Sequence, residues 1–386
     1  MMLYRLLKDV RPDDYCLIST SNFETGEEVY SRTLPGKYFQ ISAAFELTRG
    51  YRFGLKILRE VFNVSLGAFA RARQIAHIVR TEHCQAVLSC SSGADLLDVP
   101  AGFIASRLAR VPFYVYLFDT YSHMWVQADT QFIGRRLEPF ILRRAAGIVS
   151  TNELVRKLLA SRYGVDSTVI HNPCDISEYE KLSHESVPRS DDEVRIVYTG
   201  SISESHYDAL RNLVTAIELI GRRNVKLHLY TFTSTDRLAA EGIRGPVVYH
   251  GHESVFTMPS VQREADILFL PLAFESPYPE LMRVSSPSKI GEFLAARKPV
   301  LVHAPPDSFL STYFRRYECG LVADQNKPEA VAEALEKLMD DSELRQRLSA
   351  NAWIRATTDF SLPVAQSTLA TLLDLNLQSD PVAQAV

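Results

Sequence analysis

Short apolar runs that end in polar residues alternate with amphipathic segments along the first half of the chain. The runs are rich in β-branched and aromatic residues, as buried strands are, while GAFARARQIAHIVR and VPAGFIASRLAR have helical spacing. This alternation predicts a parallel sheet with helices on both faces. The predicted strands are CQAVLSCSS, VPFYVYLFD, AAGIVSTN and DSTVIHNP.

The alternation stops at residues 175–193, which are polar, charged and interrupted by Pro188, and which therefore predict an interdomain linker. A second α/β series follows. Its predicted strands are VRIVYTG, VKLHLYTF, PVVYHG, DILFLPL, KPVLVHA and CGLVAD, and its first helices are YDALRNLVTAIELI and SVFTMPSVQREA. Two doubly wound halves with a cleft between them are therefore expected.

The stretch SPSKIGEFLAARKPVLV predicts a helix followed by a buried strand. Ser286 is a favoured capping residue, and Pro287 suits the first helical position. Lys289 then falls in the first turn, where the helix dipole favours negative charge, so this lysine indicates a bound anion. Glu292 lies one turn further on and could accept hydrogen bonds from a ribose diol.

A second anion site is predicted in VRIVYTGSIS, because Gly200 and Ser201 follow a strand and precede a helix. Neither G-x-G-x-x-G nor G-x-x-x-x-G-K-[ST] occurs, and no D-x-D pair is present to hold a diphosphate through a metal. The alternative is an ordinary surface ion pair between Lys289 and Glu292 beside a helix cap. Spacing alone leaves both interpretations open.

The net charge of −4 conceals an asymmetry, since residues 1–175 carry +4 and the remainder carries −8. Much of the positive charge lies in RGYRFGLKILREVF, where basic residues recur at helical spacing beside an apolar stripe, and more lies in GRRLEPFILRR. The first segment predicts a basic amphipathic helix. Its apolar stripe either packs on the core or lies on an anionic membrane surface.

Composition narrows the class of protein further. The 386 residues are 46% hydrophobic and 23% charged, as in soluble globular proteins of two or three domains. Five cysteines include no C-x-x-C pair, so neither a disulfide framework nor a zinc site is expected. With no signal peptide and no spanning apolar run apparent, we expect a cytoplasmic protein, peripheral at most to the inner face of the plasma membrane.

The run SPSKIGEFLAARKPVLV, with YTGSIS upstream and ADILFLP between them, resembles the nucleotide-sugar half of GT-B glycosyltransferases, especially the retaining enzymes of family 4. LEPFILRRAAGIVSTNELVRKLLASRYGVDSTVIHNPCD is similar to the end of their first domain, so the resemblance covers nearly the whole chain. It implies an α/β fold of two Rossmann-like domains whose parallel sheets face a central cleft. With the polar stretch taken as the linker, the expected boundaries are 1–175 (acceptor side), 176–193 (linker), 194–360 (nucleotide-sugar side) and 361–386 (a helix crossing back).

The resemblance also implies roles for single residues. Glu292 would bind the ribose, and Gly200 with Ser201 would form part of the diphosphate loop. His250 and Gly251 fall where the family passes close to the nucleobase. The implied phosphate contacts come from a Ser-Pro-x-Lys turn, namely Ser286, Ser288 and Lys289.

The chain departs from the family pattern at two places. Val284 replaces the first glutamate of the family motif, and the loop after Gly200 offers only His206 and Arg211 where a basic residue and a Lys-Gly are usual. Donor binding is therefore expected to depend more heavily on Lys289. Which sugar is transferred does not carry over from the family.

On the acceptor side, YVYLFDTYSHMW places Asp119 and His123 beyond the carboxyl end of a predicted strand, where ligands gather in open α/β sheets. Asp119 fits the family's polar position after this strand. His123 is a second candidate for proton transfer, with a structural role beside Tyr and Trp as the alternative.

The opening strand and glycine-rich loop of the family have no counterpart in this sequence. LYRLLKDV predicts the helix that would follow them, and DDYCLISTSNF predicts the second strand. Because the first strand of such a sheet normally lies in its interior, we expect a gap or an unusual edge in this sheet. Either a shortened start or a catalyst that manages without the loop would explain the pattern.

Together these features predict a metal-independent, retaining glycosyltransferase of hexosyltransferase type. Its donor would be a nucleoside diphosphate sugar, and its acceptor a glycan or lipid-linked glycan in cell-surface polysaccharide biosynthesis. No cofactor and no nucleic-acid partner are expected. A sugar-nucleotide 2-epimerase and a non-catalytic sugar-nucleotide-binding subunit are the alternatives.

Overall fold

The computed structural model describes residues 2–20, 33–42, 56–91, 96–125, 127–182, 192–251, 253–375 and 377. The chain divides into two compact units. The first unit comprises Met1–His171 with Ala365–Val386, and the second comprises Asn172–Val364.

All the described strands pair in parallel with their neighbours. The strands are β1 (Cys16–Ser19), β2 (Lys37–Gln40), β3 (Val87–Ser91), β4 (Phe113–Leu117), β5 (Gly147–Ser150), β6 (Thr168–Val169), β7 (Val194–Thr199), β8 (Val225–Tyr230), β9 (Val247–Gly251), β10 (Ile267–Pro271), β11 (Val300–His303) and β12 (Leu321–Ala323). The helices are α1 (Met2–Leu7), α2 (Lys56–Thr81), α3 (Asp98–Ala109), α4 (Ala128–Leu142), α5 (Glu153–Tyr163), α6 (Ser177–Glu180), α7 (Tyr207–Ile220), α8 (Thr235–Ala240), α9 (Met258–Arg263), α10 (Pro279–Val284), α11 (Ile290–Ala295), α12 (Phe309–Tyr317), α13 (Pro328–Asp340), α14 (Ser342–Thr358) and α15 (Leu362–Leu373).

The first unit contains two separate parallel sheets. One is the pair β1–β2, and the other has the order β3–β4–β5–β6, with no hydrogen-bonded strand pair joining the two among the described residues. LYRLLKDV forms α1 and DDYCLISTSNF contains β1, as predicted. The expected discontinuity in the sheet of this unit is therefore confirmed for the part of the chain that the structure describes.

Helices from both ends of the chain cover one face of β3–β6. Leu6 and Leu7 of α1 and Leu369 of α15 pack in one cluster with Tyr116 and Val149 of the sheet. The side-chain amide of Gln366 donates to the Arg5 carbonyl at 2.9 Å and to an Asp9 carboxylate oxygen at 2.8 Å, which fastens α15 to the start of the chain.

The predicted basic amphipathic helix falls partly outside the described residues. From Lys56 onward its sequence belongs to α2, which is buried at Ala68, Ala72 and Ile75. Along another side of α2, the turns up to Phe69 keep a row of apolar side chains 38–66% exposed, namely Ile57, Leu58, Val61, Phe62, Leu66 and Phe69. The apolar stripe is thus not covered by the core over these turns.

The second unit is built on one six-stranded sheet of order β12–β11–β10–β7–β8–β9. Its strands are nearly continuous apolar runs because helices cover both faces, and α7 and α13 share the core of one face. From β7 the chain winds outward through β8 and β9, then returns to β10 and winds the other way. The order of strands therefore reverses between β7 and β10, which is the switch point of a doubly wound sheet.

Two elements of the second unit differ from the prediction. The helix expected to start at Pro287 begins at Ile290, and the helix expected over SVFTMPSVQREA is limited to Met258–Arg263. Within the predicted linker, Ser177–Glu180 forms α6, and Tyr179 Oη donates to Gln262 Oε1 at 2.6 Å. Residues 183–191 of that linker lie outside the described residues.

Candidate functional site

The candidate site lies at the switch point of the second unit. The loop after β7 and the loop after β10 diverge there, leaving the space in which doubly wound sheets bind ligands. A cavity of about 370 Å³ opens between the two loops. Its lining is Ile202, Ser203, Glu204, Ser205, Tyr207, Arg237, Ser276 and Tyr278, so hydroxyl groups predominate beside one cation and one carboxylate.

Gly200 brings the backbone of the first loop against Lys289. Its φ of +116° is a conformation that L side chains rarely adopt, and its N–H donates to the Tyr230 carbonyl at 2.8 Å. A Cβ atom at this position would lie 3.1 Å from the Lys289 Nζ atom. The close approach of an ammonium group to bare backbone therefore requires glycine here.

Tyr198, at the end of β7, holds Lys289 in place. The Lys289 ammonium donates to the Tyr198 hydroxyl at 2.6 Å and lies 4.0 Å from the centroid of the same ring. The hydroxyl in turn donates to the Ser201 carbonyl at 2.7 Å. Three predicted donor-site residues, Gly200, Ser201 and Lys289, are thus brought together by a tyrosine that the sequence did not single out.

The ammonium of Lys289 has no compensating carboxylate within ion-pair distance among the described residues, so the predicted alternative of a surface ion pair with Glu292 is not formed. Burial lowers the pKa of Lys289 to about 7, while the more distant charge of Glu292 opposes this shift. A partly buried ammonium with so little negative charge near it favours an anionic ligand. Such a ligand would raise the pKa of Lys289 again and keep the side chain positively charged.

The turn before α11 corrects the predicted helix start. Asn172 Nδ2 donates to the Ser286 carbonyl at 2.6 Å, and Lys289, not Ser286, occupies the N-cap position. The Ser286 hydroxyl is buried without a hydrogen-bond partner in the described structure, while Ser288 is exposed. Since α11 has only six residues, the charge of Lys289 is a better reason for anion binding than the dipole of this helix.

Glu292 lies in the first turn of α11 and is partly buried. The neighbouring Gly291 packs closely, because a Cβ there would lie 2.9 Å from the Cβ of Cys174 and 3.1 Å from that of Phe360. This packing fixes the position of α11, and with it the position of the Glu292 carboxylate.

His250 and Gly251 lie at the end of β9, on the same edge of the sheet as Gly200. The His250 ring stacks on Tyr230 with centroids 4.2 Å apart, and Tyr230 is also the residue whose carbonyl accepts from Gly200. His250 Nε2 lies 2.8 Å from Nδ1 of His228. Burial lowers the pKa of His250, so the stack is formed by a neutral ring.

His206 and Arg211, the two basic residues that follow Gly200 in the sequence, do not place a positive charge in the loop after β7. Burial, aided by Lys289, lowers the pKa of His206 to about 3, and its Nδ1 accepts from the Ser203 N–H. Arg211 donates to the Glu241 carbonyl at 3.2 Å. The cation that lines the cavity is Arg237 of α8, which no motif could have indicated, because only the fold brings α8 to this edge.

Asp119 and His123 belong to the first unit, beyond the end of β4. Ser91 Oγ donates to the Asp119 backbone carbonyl at 3.1 Å, and burial raises the pKa of the Asp119 carboxyl to about 6. His123 ends a single 3₁₀ turn, with its Nδ1 atom 3.4 Å from the Ser122 hydroxyl. Asp119 therefore has the protonation behaviour of a proton acceptor near neutral pH.

Residues 193–341 match the sequence profile of a family described as Glycosyl transferases group 1. The match spans most of the second unit and includes Gly200, His250, Lys289 and Glu292.

No curated protein matches this chain. Among the described residues, no group of three or more His, Cys, Asp and Glu side chains is arranged to hold a metal ion.

Solved structures resemble the whole chain. Anabaena Alr3699/HepE in complex with UDP superposes with a TM-score of 0.68 at 17% identity, covering 97% of this chain and 95% of that one. A glycosyltransferase from Rickettsia africae superposes with a TM-score of 0.63 at 14% identity, covering 93% of this chain and 89% of that one. Sucrose-phosphate synthase from Thermosynechococcus elongatus superposes with a TM-score of 0.62 at 13% identity, covering 93% of this chain and 88% of that one. The predicted α/β GT-B fold with two Rossmann-like domains is confirmed. Together with the family match, it supports a glycosyltransferase.

Proposed function

We propose that this chain is a hexosyltransferase of the retaining family 4 type, which uses a nucleoside diphosphate sugar as its donor. The observation that carries the proposal is the close approach of Gly200 to the partly buried, poorly compensated ammonium of Lys289 at the switch point. That contact lies within the segment matching the glycosyl transferases group 1 family, and Anabaena Alr3699/HepE, of the same fold, has been solved with UDP-glucose.

The second unit would bind the donor in three parts. The diphosphate would contact the backbone of Gly200 and Ser201, the Ser286–Ser288 turn and the ammonium of Lys289. Glu292 would accept hydrogen bonds from the ribose, and the base would lie beside His250 and Gly251. The hydroxyl-lined cavity would then hold the sugar, to whose oxygen atoms Arg237 could donate hydrogen bonds.

Lys289 would also serve the chemistry. Cleavage of the glycosidic bond leaves negative charge on the departing diphosphate, and a fixed ammonium stabilises that charge more in the transition state than in the ground state. Because Lys289 and the loop backbone can do this, the proposed reaction needs neither a divalent metal nor another cofactor. Asp119 would accept or relay the acceptor proton, with His123 as the second candidate.

The acceptor would be a glycan or a lipid-linked glycan in cell-surface polysaccharide biosynthesis, reached at the inner face of the plasma membrane. The exposed apolar row on α2 supports this, as do two cation–π pairs on α4 and the residues directly after it. There, Arg136 lies 4.7 Å from the Phe132 ring and Arg144 lies 4.0 Å from the Phe140 ring. Apolar and cationic groups exposed together favour anionic lipid, and no described helix is long and apolar enough to cross a bilayer.

Calorimetric titration with UDP and UDP-glucose, without added metal, tests the donor site. Lys289→Ala should weaken binding of UDP by about 10- to 100-fold, because it removes a charge-assisted contact to phosphate. Glu292→Ala should weaken binding of UDP but not of inorganic diphosphate, which has no ribose. Lys337→Ala is the matched control, since Lys337 forms an exposed pair with Glu333 at 2.7 Å. Parental affinity in both site variants would show that the donor binds elsewhere.

Incubation with labelled nucleotide sugars separates the alternatives. Transfer to a glycan or lipid acceptor supports the transferase, and interconversion of the nucleotide sugars supports a 2-epimerase. Binding without either reaction supports a non-catalytic subunit, a role that the discontinuous sheet of the first unit would favour.

A further inference from the structure

Two cysteines that are 68 positions apart in the sequence meet in the first unit. The Sγ atoms of Cys16 and Cys84 are 3.8 Å apart, and both thiols are free and partly buried. Cys16 is the first residue of β1, and Cys84 lies in the turn between α2 and β3. Because a disulfide bond is about 2.05 Å long, closing it needs a movement of less than 2 Å between side chains that already face each other.

The surroundings of this pair favour one reactive thiolate. The pKa of Cys84 is lowered to about 7, chiefly by the hydrogen bond with Cys16, whose own pKa is raised by the same bond. Nearby, the Lys37 ammonium and the Glu82 carboxylate form an ion pair at 2.6 Å and act on Cys84 in opposite directions. Burial raises the pKa of Cys319 to about 12, which leaves that thiol protonated and unreactive.

We propose that Cys16 and Cys84 form an oxidisable pair that hydrogen peroxide converts to a disulfide. The Cys84 thiolate attacks one peroxide oxygen, giving a Cys84 sulfenic acid and hydroxide. The Cys16 thiol then attacks the sulfenic sulfur, forming the S–S bond and releasing water. Overall, two thiols and one peroxide give one disulfide and two water molecules. The two cysteines belong to the first unit, whereas the donor-site residues belong to the second.

The disulfide would join the two sheets of the first unit. Cys16 begins the β1–β2 sheet, whereas Cys84 lies three residues before β3, and no strand pair links these sheets among the described residues. The bond would also close a loop of 68 residues, which restricts the unfolded chain and so stabilises the folded one. Oxidation would therefore stabilise the first unit without altering the second.

The test uses the full chain, first reduced and then treated with a small excess of hydrogen peroxide. Titratable thiols should fall from five to three, the mass should drop by two hydrogens, and digestion should give one peptide joining Cys16 to Cys84. The unfolding temperature of the first unit should rise by about 5 to 10 °C, and dithiothreitol should reverse the change. Cys84→Ser and Cys84→Ala should both abolish these effects, and Cys319→Ala should retain them.

Cys16→Ser supplies an independent readout, because it removes the thiol that resolves the intermediate. Its Cys84 sulfenic acid should persist and be trapped by dimedone, while the parent protein shows little trapping. Five thiols surviving peroxide treatment, or a disulfide linking any other pair, would overturn the proposal. A Cys16–Cys84 bond that leaves the unfolding temperature unchanged would overturn its role in joining the sheets.

Discussion

The two units share a parallel α/β layout but differ in the continuity of their sheets. In the second unit six strands form one sheet whose order reverses between β7 and β10, and the residues of the donor site lie at that reversal. In the first unit the strands β3 to β6 follow one another in chain order, so these described strands contain no reversal. The donor-site residues therefore lie at a switch point, whereas Asp119 and His123 follow a strand of a sheet whose described strands have none.

The hydrogen-bond networks differ in the same way. Tyr198 and Tyr230 link Gly200, Ser201, Lys289 and His250 through contacts between 2.6 and 4.2 Å. Asp119 takes part in a smaller network, in which its backbone carbonyl accepts one hydrogen bond from Ser91 Oγ at 3.1 Å. Substitutions in the second unit should therefore affect donor binding, and substitutions in the first unit should affect catalysis and stability.

The largest effect is expected from Gly200→Ala. The added Cβ would lie 3.1 Å from the Lys289 Nζ atom, at a φ of +116°, so it should displace the ammonium and strain the loop. We expect a loss of UDP affinity of about 100-fold, measured by calorimetry, with a stability loss of about 1 to 3 kcal/mol.

Gly221→Ala is the control for backbone strain. Gly221 also has a positive φ, +68°, but a Cβ there meets nothing within 4 Å. This variant should lose about 1 kcal/mol of stability and bind UDP like the parent. Equal affinities in the Gly200 and Gly221 variants would mean that the close approach to Lys289 has no part in binding.

Next in size is the pH dependence of UDP binding, which we expect from Lys289 of the second unit. Since the pKa of Lys289 is about 7 in the free protein, its charge is lost as pH rises above that value. A bound diphosphate favours the charged form, so UDP binding should take up a proton and weaken by up to about tenfold per pH unit above 7. Calorimetry at pH 6 to 9, in buffers of different ionisation enthalpy, measures both effects. Lys289→Ala should bind weakly at every pH, and a proton uptake that persists in this variant would assign the titration to another group.

The fold class and the buried strands were predictable from the sequence because they depend on local patterns. Apolar runs and turn residues are sufficient to identify β1 and β3 to β12. The start of α11 was not predictable from the sequence. The Ser286 carbonyl accepts a hydrogen bond from Asn172, 114 positions away, and helix-capping rules consider only neighbours in sequence.

The same limit explains which site residues were missed. Gly200 and Lys289 carry unusual signals, a glycine after a strand and a cation at a predicted helix start. Tyr198 and Arg237 are ordinary residues of a strand and a helix, so only tertiary structure shows their contacts with Lys289 and with the cavity. Cys16 and Cys84 likewise share no sequence motif, and spacing rules therefore gave no reason to pair them.

Asp119→Asn should separate stability from activity in the first unit. The Asp119 pKa is raised from 3.8 to about 6, so the folded state holds this proton more tightly than the unfolded state. The Asp119 carboxyl therefore makes its full contribution to the free energy of unfolding below about pH 4. This contribution falls as the pH rises to about 6 and is constant at higher pH. At pH 7 the asparagine variant should be more stable than the parent by about 1 to 3 kcal/mol, and at pH 4 the two should converge.

Denaturant unfolding at both pH values measures this difference, and Asp166→Asn is the control of opposite sign. The Arg156 side chain lowers the pKa of Asp166, so its replacement should not stabilise the protein at pH 7. If Asp119 also acts on the acceptor, Asp119→Asn should lose transferase activity while binding UDP normally. A variant that is less stable at pH 7, or equally active, would remove Asp119 from the proposed mechanism.

The smallest effect concerns the surface of the first unit. The row on α2 that begins at Ile57 is exposed, and residues 1–175 carry +4, so we expect weak association with anionic vesicles. Phe62→Ser and Leu58→Ser should each reduce flotation a few-fold at low salt, because each removes apolar area that would enter the lipid interface. Leu219→Ser is the matched control, since Leu219 is 56% exposed on α7 of the second unit.

Vesicle binding should fall as salt screens the basic residues, and neutral vesicles should bind little protein at any salt concentration. Flotation that is equal for all three variants, or insensitive to salt, would assign the exposed row on α2 to another partner and leave the donor site unaffected.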